Sequence, residues 1–251
     1  MVMFRDERDF LVVSWNIHRC IGVDRVYSPQ RVAEVLSALE PDLIALQEVD
    51  SSLKVASGQD QLTFISEKLQ MYSVMGPTLH RDYGAYGNAI LSRFEFNECE
   101  EHSLTYGGYE PRGALAVNID LGPRMIRLVN VHLGLRYFER SFQINRLVSD
   151  IIWNSAVWRS NIPVLLAGDF NEWIPFSGNN LKLKREFLSV PKLATFHATW
   201  PRLSLDRIYP SQIVEIKGYD VLSGTAMRQA SDHLPLMLRC RFLDLNKNIE
   251  I

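Results

Sequence analysis

The chain has 251 residues, 47% hydrophobic and 22% charged, and its 27 basic and 29 acidic side chains leave a net charge of −2. That composition excludes an unfolded polymer. The near-neutral charge also argues against a global basic field for holding a long polyanion, leaving only a local patch for nucleic acid. At about 150 residues per domain, the length fits one large domain or two small ones; with no internal repeat, low-complexity tract or long linker, a single domain over 1–251 is expected.

Cys20, Cys99 and Cys240 are widely spaced, with no CxxC pair and no disulfide framework, as suits a reducing compartment. The opening stretch carries Arg5, Asp6, Glu7, Arg8 and Asp9 and holds no apolar signal core. No run approaches the ~18 uninterrupted apolar residues of a membrane span. The expectation is a cytoplasmic protein without stable membrane insertion and with no evident obligate protein partner.

In chain order, β-rich runs bounded by polar or turn residues fall at Leu11–Ile17, Asp42–Val49, Asn88–Ser92, Ala114–Ile119, Ile126–Leu133, Pro163–Phe170, Ile213–Ile216 and Leu234–Cys240. Many are apolar throughout, the pattern of strands buried on both faces. Helical patterns interleave with them. Ser28-Pro29 reads as an N-cap with Pro at the first helical position, opening a helix that runs to Leu39 before Pro41 stops it. Further helices are predicted over Gln59–Leu69, Phe138–Trp158 and Leu181–Leu188. The mixture indicates an α/β protein with mixed sheets.

Polar residues collect at the ends of the apolar runs. LVVSWNIH ends in Asn16 and His18, LIALQEV in Gln47 and Glu48, LVNVHL in Asn130 and His132, and PVLLAGDFN in Asp169 and Asn171. Asp206 and the pair Asp232-His233 flank two later runs. Ligands of open α/β sheets commonly bind at strand ends. Each residue alone has a plainer reading: a turn former, a helix cap, a satisfied core histidine. Together they are harder to dismiss, because a near-buried polar group without a partner costs roughly 1–3 kcal/mol.

The ordered set WNIH, QEVD, GNAILSR, NVHL, GDFN, LDRIY and SDHLP resembles the endonuclease/exonuclease/phosphatase superfamily, with its deoxyribonuclease I-like fold. The motifs run from Asn16 to His233. The resemblance implies an α/β four-layer sandwich of two packed mixed β-sheets flanked by helices. It also implies hydrolysis of a phosphodiester or phosphomonoester with a divalent metal, Mg2+ by expectation and Mn2+ as a substitute. By the same resemblance Glu48 and Asn16 match metal-binding positions, and Asp232 adds a contact. Asp169 orients or deprotonates the attacking water and Asn171 holds that water or a phosphate oxygen, while His132 and His233 face the phosphate. Asp206 orients His233. Between Asp169 and His233 the choice of proton acceptor stays open, with the resemblance favouring Asp169.

Arg112, Asn88 and Tyr109 are the candidate substrate contacts, each with a plainer alternative: a surface arginine at a turn, a loop support, a hairpin residue. The segment Thr105–Glu110, with Tyr106 and Tyr109, reads as a rim able to stack on a base. Trp173 and Phe176 either line the pocket or plug a loop. Arg136, Arg140 and Arg146, like Lys182, Lys184 and Arg185, read as solvated helix faces, and Trp153 and Trp158 as packing. Arg207 in LDRIY departs from repair-type members, which weighs against abasic-site cleavage. The leading expectation is a nuclease acting on DNA or RNA; the alternative is a phospholipid or small-phosphoester hydrolase, and a non-catalytic binding module stands third.

Overall fold

The computed structural model describes residues 9–122, 124–153, 162–174, 177–211 and 214–243. Among the described residues eleven strands fall in this order: β1 (Asp9–Asn16), β2 (Leu43–Asp50), β3 (Tyr72–Arg81), β4 (Gly84–Ser92), β5 (Phe96–Ser103), β6 (Gly113–Asp120), β7 (Met125–His132), β8 (Val164–Asp169), β9 (Asp206–Pro210), β10 (Val214–Val221) and β11 (Leu236–Phe242). The helices are α1 (Pro29–Leu39), α2 (Gln61–Leu69), α3 (Tyr137–Arg146), α4 (Gly178–Glu186) and α5 (Thr225–Ala230). Six strands form one sheet, in the order β10-β11-β1-β2-β4-β3, and five form the other, β5-β6-β7-β8-β9. Both are mixed: β1 runs parallel to β2 and β7 to β8, whereas the remaining pairs are antiparallel.

Strand alternation builds the layers. Phe10 and Val12 of β1, with Leu43, Ala45 and Ile90, join Leu115, Val117, Leu128, Leu165 and Ala167 of the second sheet in a core between the sheets. Leu11, Val13 and Trp15, on the opposite face of β1, pack with Val32 and Leu36 of α1 and Ile65 of α2. On the far side, Val129, Val131 and Leu166 meet Ile144 of α3 and the turns that follow it. The result is the four-layer α/β sandwich expected, and the double burial of β1, β2, β7 and β8 explains their continuous apolar runs.

The local signals also hold. The Ser28 side chain accepts from the Arg31 amide at the start of α1, and Pro29 opens the helix. Asp60 caps α2 and Ser177 caps α4, so those helices begin at Gln61 and Gly178 rather than at Gln59 and Leu181. The long helix changes character: α3 ends at Arg146 and continues as π-helical turns over Leu147–Trp153. The Trp153 side chain, Trp158, Phe176 and Ile213 lie outside what the structure describes. Three strands and α5 have no counterpart in the predicted elements. β3 and β5 are the exposed outer strands of their sheets, rich in polar residues, with Pro77 beside a bulge in β3. β9 is only five residues long. Among the described residues no helix is long and apolar enough to cross a membrane.

A polar staple joins the two sheets. Gln47 Nε2 donates to Asn130 Oδ1 at 2.8 Å, and Asn130 Nδ2 donates to the carbonyls of Leu46 and Ala89. Both side chains are fully buried, so these two strand-end residues bind the sheets together beneath the site.

Candidate functional site

The register of the second sheet puts three of the expected residues in one row. His132 pairs with Asp169 and Asp169 with Asp206, across β7, β8 and β9, so their side chains emerge on the same face. Gly168 makes the close strand approach possible: its φ is +142°, and a Cβ there would lie 1.9 Å from the Val131 carbonyl oxygen. Asn16 ends β1 in the opposing sheet, and its Nδ2 donates to Asp169 Oδ2 at 3.1 Å and to Glu48 Oε1 at 2.9 Å. The Asn16 oxygen accepts from the His18 amide.

Glu48 is aimed by a backbone irregularity. The β2–β4 register shifts between Leu46 and Val49, and Glu48 adopts φ +57°. A bulge of this kind turns a side chain out of the regular alternation, here toward Asn16. Asn171 holds a comparable left-handed conformation, φ +48°, directly after β8. Its amide N–H donates to Asp169 Oδ1, and its side-chain Nδ2 donates to the Leu133 carbonyl.

His233 arrives on the segment before β11, anchored where Trp15 Nε1 donates to its carbonyl and where its N–H donates to Ser231 Oγ. Its Nδ1 lies 2.9 Å from Asp206 Oδ2, and its Nε2 lies 3.7 Å from Asp169 Oδ2. Burial works against the charged imidazolium, but the Asp206 and then the Asp169 carboxylates outweigh it and push His233 up to about 10. His132 is driven the other way. Burial first and the Arg112 guanidinium second bring it down to about 3, against the pull of Asp169. One imidazole is thus held charged and the other neutral, both with Nε2 within 3.7 Å of Asp169 Oδ2. Arg112 Nη1 sits 3.1 Å from His132 Nδ1. An arginine can only donate, so Nδ1 accepts and the His132 proton resides on Nε2, facing the site.

The structure therefore gathers Asn16, Glu48, His132, Asp169, Asn171, Asp206 and His233. Asp232 turns toward His18, with Oδ1 3.7 Å from its Nδ1. Arg112 is buried behind His132, Asn88 is buried and donates to the Gly113 carbonyl, and Tyr109 is exposed at the rim beneath the Arg136 guanidinium. Arg140 corrects its reading as a solvated helix residue. It is fully buried, paired with Glu172 at 3.3 Å, and donates to the carbonyls of Gly134 and Leu135. Tyr86 went unnoticed in the sequence. It is buried beside Glu48 and Arg112, and burial first and Glu48 second push its phenol well above the usual range. The available signal was spacing, because Tyr86 stands two residues before Asn88 on one face of β4.

Asp169, Asp206 and His233 offer ligand atoms within 4.8 Å of one another. Since His233 Nδ1 already serves Asp206, this trio reads first as a histidine–carboxylate relay. Asn16 Nδ2 holds Glu48 and Asp169 side by side, and the Glu48 carboxylate offers the hard oxygen that suits a small divalent cation.

Residues 13–233 match the family model described as "Endonuclease/Exonuclease/phosphatase family". The chain belongs to this family. Members of the endonuclease/exonuclease/phosphatase family are phosphoester hydrolases, and the site found here has the acids, imidazoles and amides that such chemistry requires. The chain is 29% identical to the Escherichia coli K12 protein YbhP over 252 aligned positions, covering 90% of this chain and 94% of YbhP. Among solved structures, the catalytic domain of human Nocturnin with bound sulfate superposes at a TM-score of 0.74, with 21% identity, covering 94% of this chain and 95% of that one. The Bacteroides thetaiotaomicron mannosyl-6-phosphatase Bt3783 gives a TM-score of 0.73 with 18% identity, covering 93% and 100%. At these identities the two structures share the fold with this family member.

Proposed function

We propose that this protein is a divalent-metal-dependent hydrolase of phosphodiesters, using Mg2+ or, in its place, Mn2+, and acting by in-line attack of water. One observation carries the reading: Asp169 Oδ2 stands within 3.7 Å of Nε2 of both His132 and His233 and beside the Asn16–Glu48 pair. Glu48 would hold the metal, with the side-chain oxygen of Asn16 and Asp232 as further contacts; such a cation would supply charge neutralisation and polarise a phosphoryl oxygen. Asp169 takes the proton of the attacking water, and Asn171 steadies that water or a phosphoryl oxygen. His132 donates from Nε2 to a phosphoryl oxygen while Arg112 fixes its tautomer. His233, oriented by Asp206, donates to the phosphoryl or leaving oxygen, where negative charge builds. No covalent nucleophile is required.

For substrate we favour nucleic acid in short or single-stranded form. The stacked Tyr106–Tyr109 pair on the rim, with Arg136 over Tyr109, offers the aromatic and cationic contacts such strands use. A second reading, a lipid or small phosphoester, is favoured by the exposed Leu135, Trp173 and Ile174, which follow His132 and Asn171 closely along the chain. The three cysteines are free, in keeping with a cytoplasmic location. The test is turnover of single-stranded RNA, single-stranded DNA, sphingomyelin, inositol phosphates and a sugar phosphate, each with magnesium and with chelator. Metal-dependent cleavage of an oligonucleotide is expected. Turnover of the lipid or small phosphoesters alone would overturn the nuclease assignment, and turnover unaffected by chelator would overturn the metal.

A further inference from the structure

A cavity of about 300 Å³ opens where the outer strands β3 and β5 of the two sheets approach each other, lined by Thr78, Glu101, His102, Ser103, Thr105 and Arg112 around the backbone of Gly113. It shares one wall with the catalytic row: Arg112, whose Nη1 contacts His132. In the β6–β7 register Gly113 also stands at the level of His132, one residue before the Ala114–Val131 pair. The volume lies at the lower end of ligand pockets and suits a single ring or short polyol.

The lining selects the chemistry of an occupant. Arg112 forms part of the lining, and its guanidinium is held in place by His132 at Nη1 and Glu110 near Nη2. The hydroxyls of Thr78, Ser103 and Thr105 both donate and accept. Glu101 lines the cavity, and Glu110 lies 3.4 Å from Arg112 Nη2, so a second phosphate would meet two carboxylates for one guanidinium. His102 is engaged at Nε2 by Glu100. A neutral hydroxylated group fits this balance, since its hydroxyls accept from Arg112 and donate to Glu101. Gly113 leaves the room: a Cβ there would lie 3.1 Å from Thr78 Cγ2 and 3.4 Å from the His102 carbonyl oxygen.

We infer that the cleft between Thr78, His102 and Arg112 is a subsite for a neutral, hydroxyl-bearing ester arm of the substrate, a ribose or a cyclic polyol. This rests on the phosphodiesterase reading above. The test uses 4-nitrophenyl phosphodiesters with magnesium, which keep one leaving group while the second arm is uridine, thymidine, myo-inositol or 4-nitrophenol. The wild type should prefer a hydroxylated arm over the nitrophenyl arm by about tenfold or more in kcat/KM, the worth of one or two hydrogen bonds. Gly113→Ala and Ser103→Phe, which fill the cleft from its floor and from its exposed edge, should each erase most of that preference, chiefly through KM. Uridine above both thymidine and inositol identifies ribose as the arm, and inositol above both nucleosides identifies a polyol. Turnover with no preference, or a preference unchanged in both variants, refutes the subsite alone. No turnover of any ester refutes the phosphodiesterase reading, and this subsite with it.

Discussion

The Arg140–Glu172 pair offers the most quantitative test of how the site is held. Their side chains are 1% and 2% exposed, and Arg140 Nε reaches Glu172 Oε2 at 3.3 Å. Arg140 Nη1 also donates to the Leu135 carbonyl at 2.6 Å, while Asn179 Nδ2 donates to Glu172 Oε2 at 2.9 Å. The pair thus ties the segment after β7, which follows His132, to the segment after β8, which follows Asn171. Glu172→Gln leaves the guanidinium buried without its counter-charge, a loss on the order of 3–5 kcal/mol. At about 2–4 °C per kcal/mol for a chain of this size, the melting temperature should fall by roughly 6–20 °C. Arg140→Met should cost a similar amount, but adding it to Glu172→Gln should cost far less, because the stranded charge is then gone. The assay is thermal unfolding of the wild type, both single variants and the double variant. A Glu172→Gln melting temperature within about 2 °C of wild type, or strictly additive losses, would refute the reasoning.

Three further outcomes follow from the same geometry. Asp206→Asn should lower kcat by about 10²-fold or more by loosening His233, with the magnesium dependence unchanged; a kcat within a few-fold of wild type would remove Asp206 from its orienting role. Glu48→Gln should raise the magnesium concentration for half-maximal activity by at least about tenfold, the scale set by losing even an outer-shell partner, so an unchanged titration would contradict the metal assignment. Away from the site, Glu100 forms an ion pair with the buried Arg127, and although burial works against its charged form, that partner holds its carboxyl below the usual range. A folded value below the unfolded one gives stability that is present above the unfolded carboxylate range and lost as pH falls through the folded value. The gap in urea midpoint between wild type and Glu100→Gln should therefore narrow on the acid side; a gap independent of pH would contradict this.

The buried strands and their polar ends were legible because central strands carry uninterrupted apolar runs, and a polar residue at such an end stands out. That pattern marks Asn16, Glu48, His132, Asp169, Asn171, Asp206 and His233, together with Gln47 and Asn130, which bind the two sheets, and His18 and Asp232, which face each other. It did not reveal β3 and β5, whose outer positions favour the polar residues and proline that disguise a strand. Arg140 was misread because a charged residue on a helix is ordinarily solvated; its partner Glu172 lies 32 positions away, beyond any local pattern. Glu48 was recognised by motif, yet the bulge that aims it depends on a left-handed backbone at a non-glycine residue, which no propensity signals. The same holds for Arg112, which local sequence suggested as a phosphate grip and which the structure stations behind His132.

The most direct test of the proposed chemistry is hydrolysis of bis-(4-nitrophenyl) phosphate by wild-type protein and by Asp169→Ala, each with magnesium and with chelator. The expected result is turnover by the wild type that vanishes with chelator and falls by at least about 10²-fold in the variant, the scale of removing a positioned acid or base. Equal turnover by Asp169→Ala would contradict the central role given to that carboxylate.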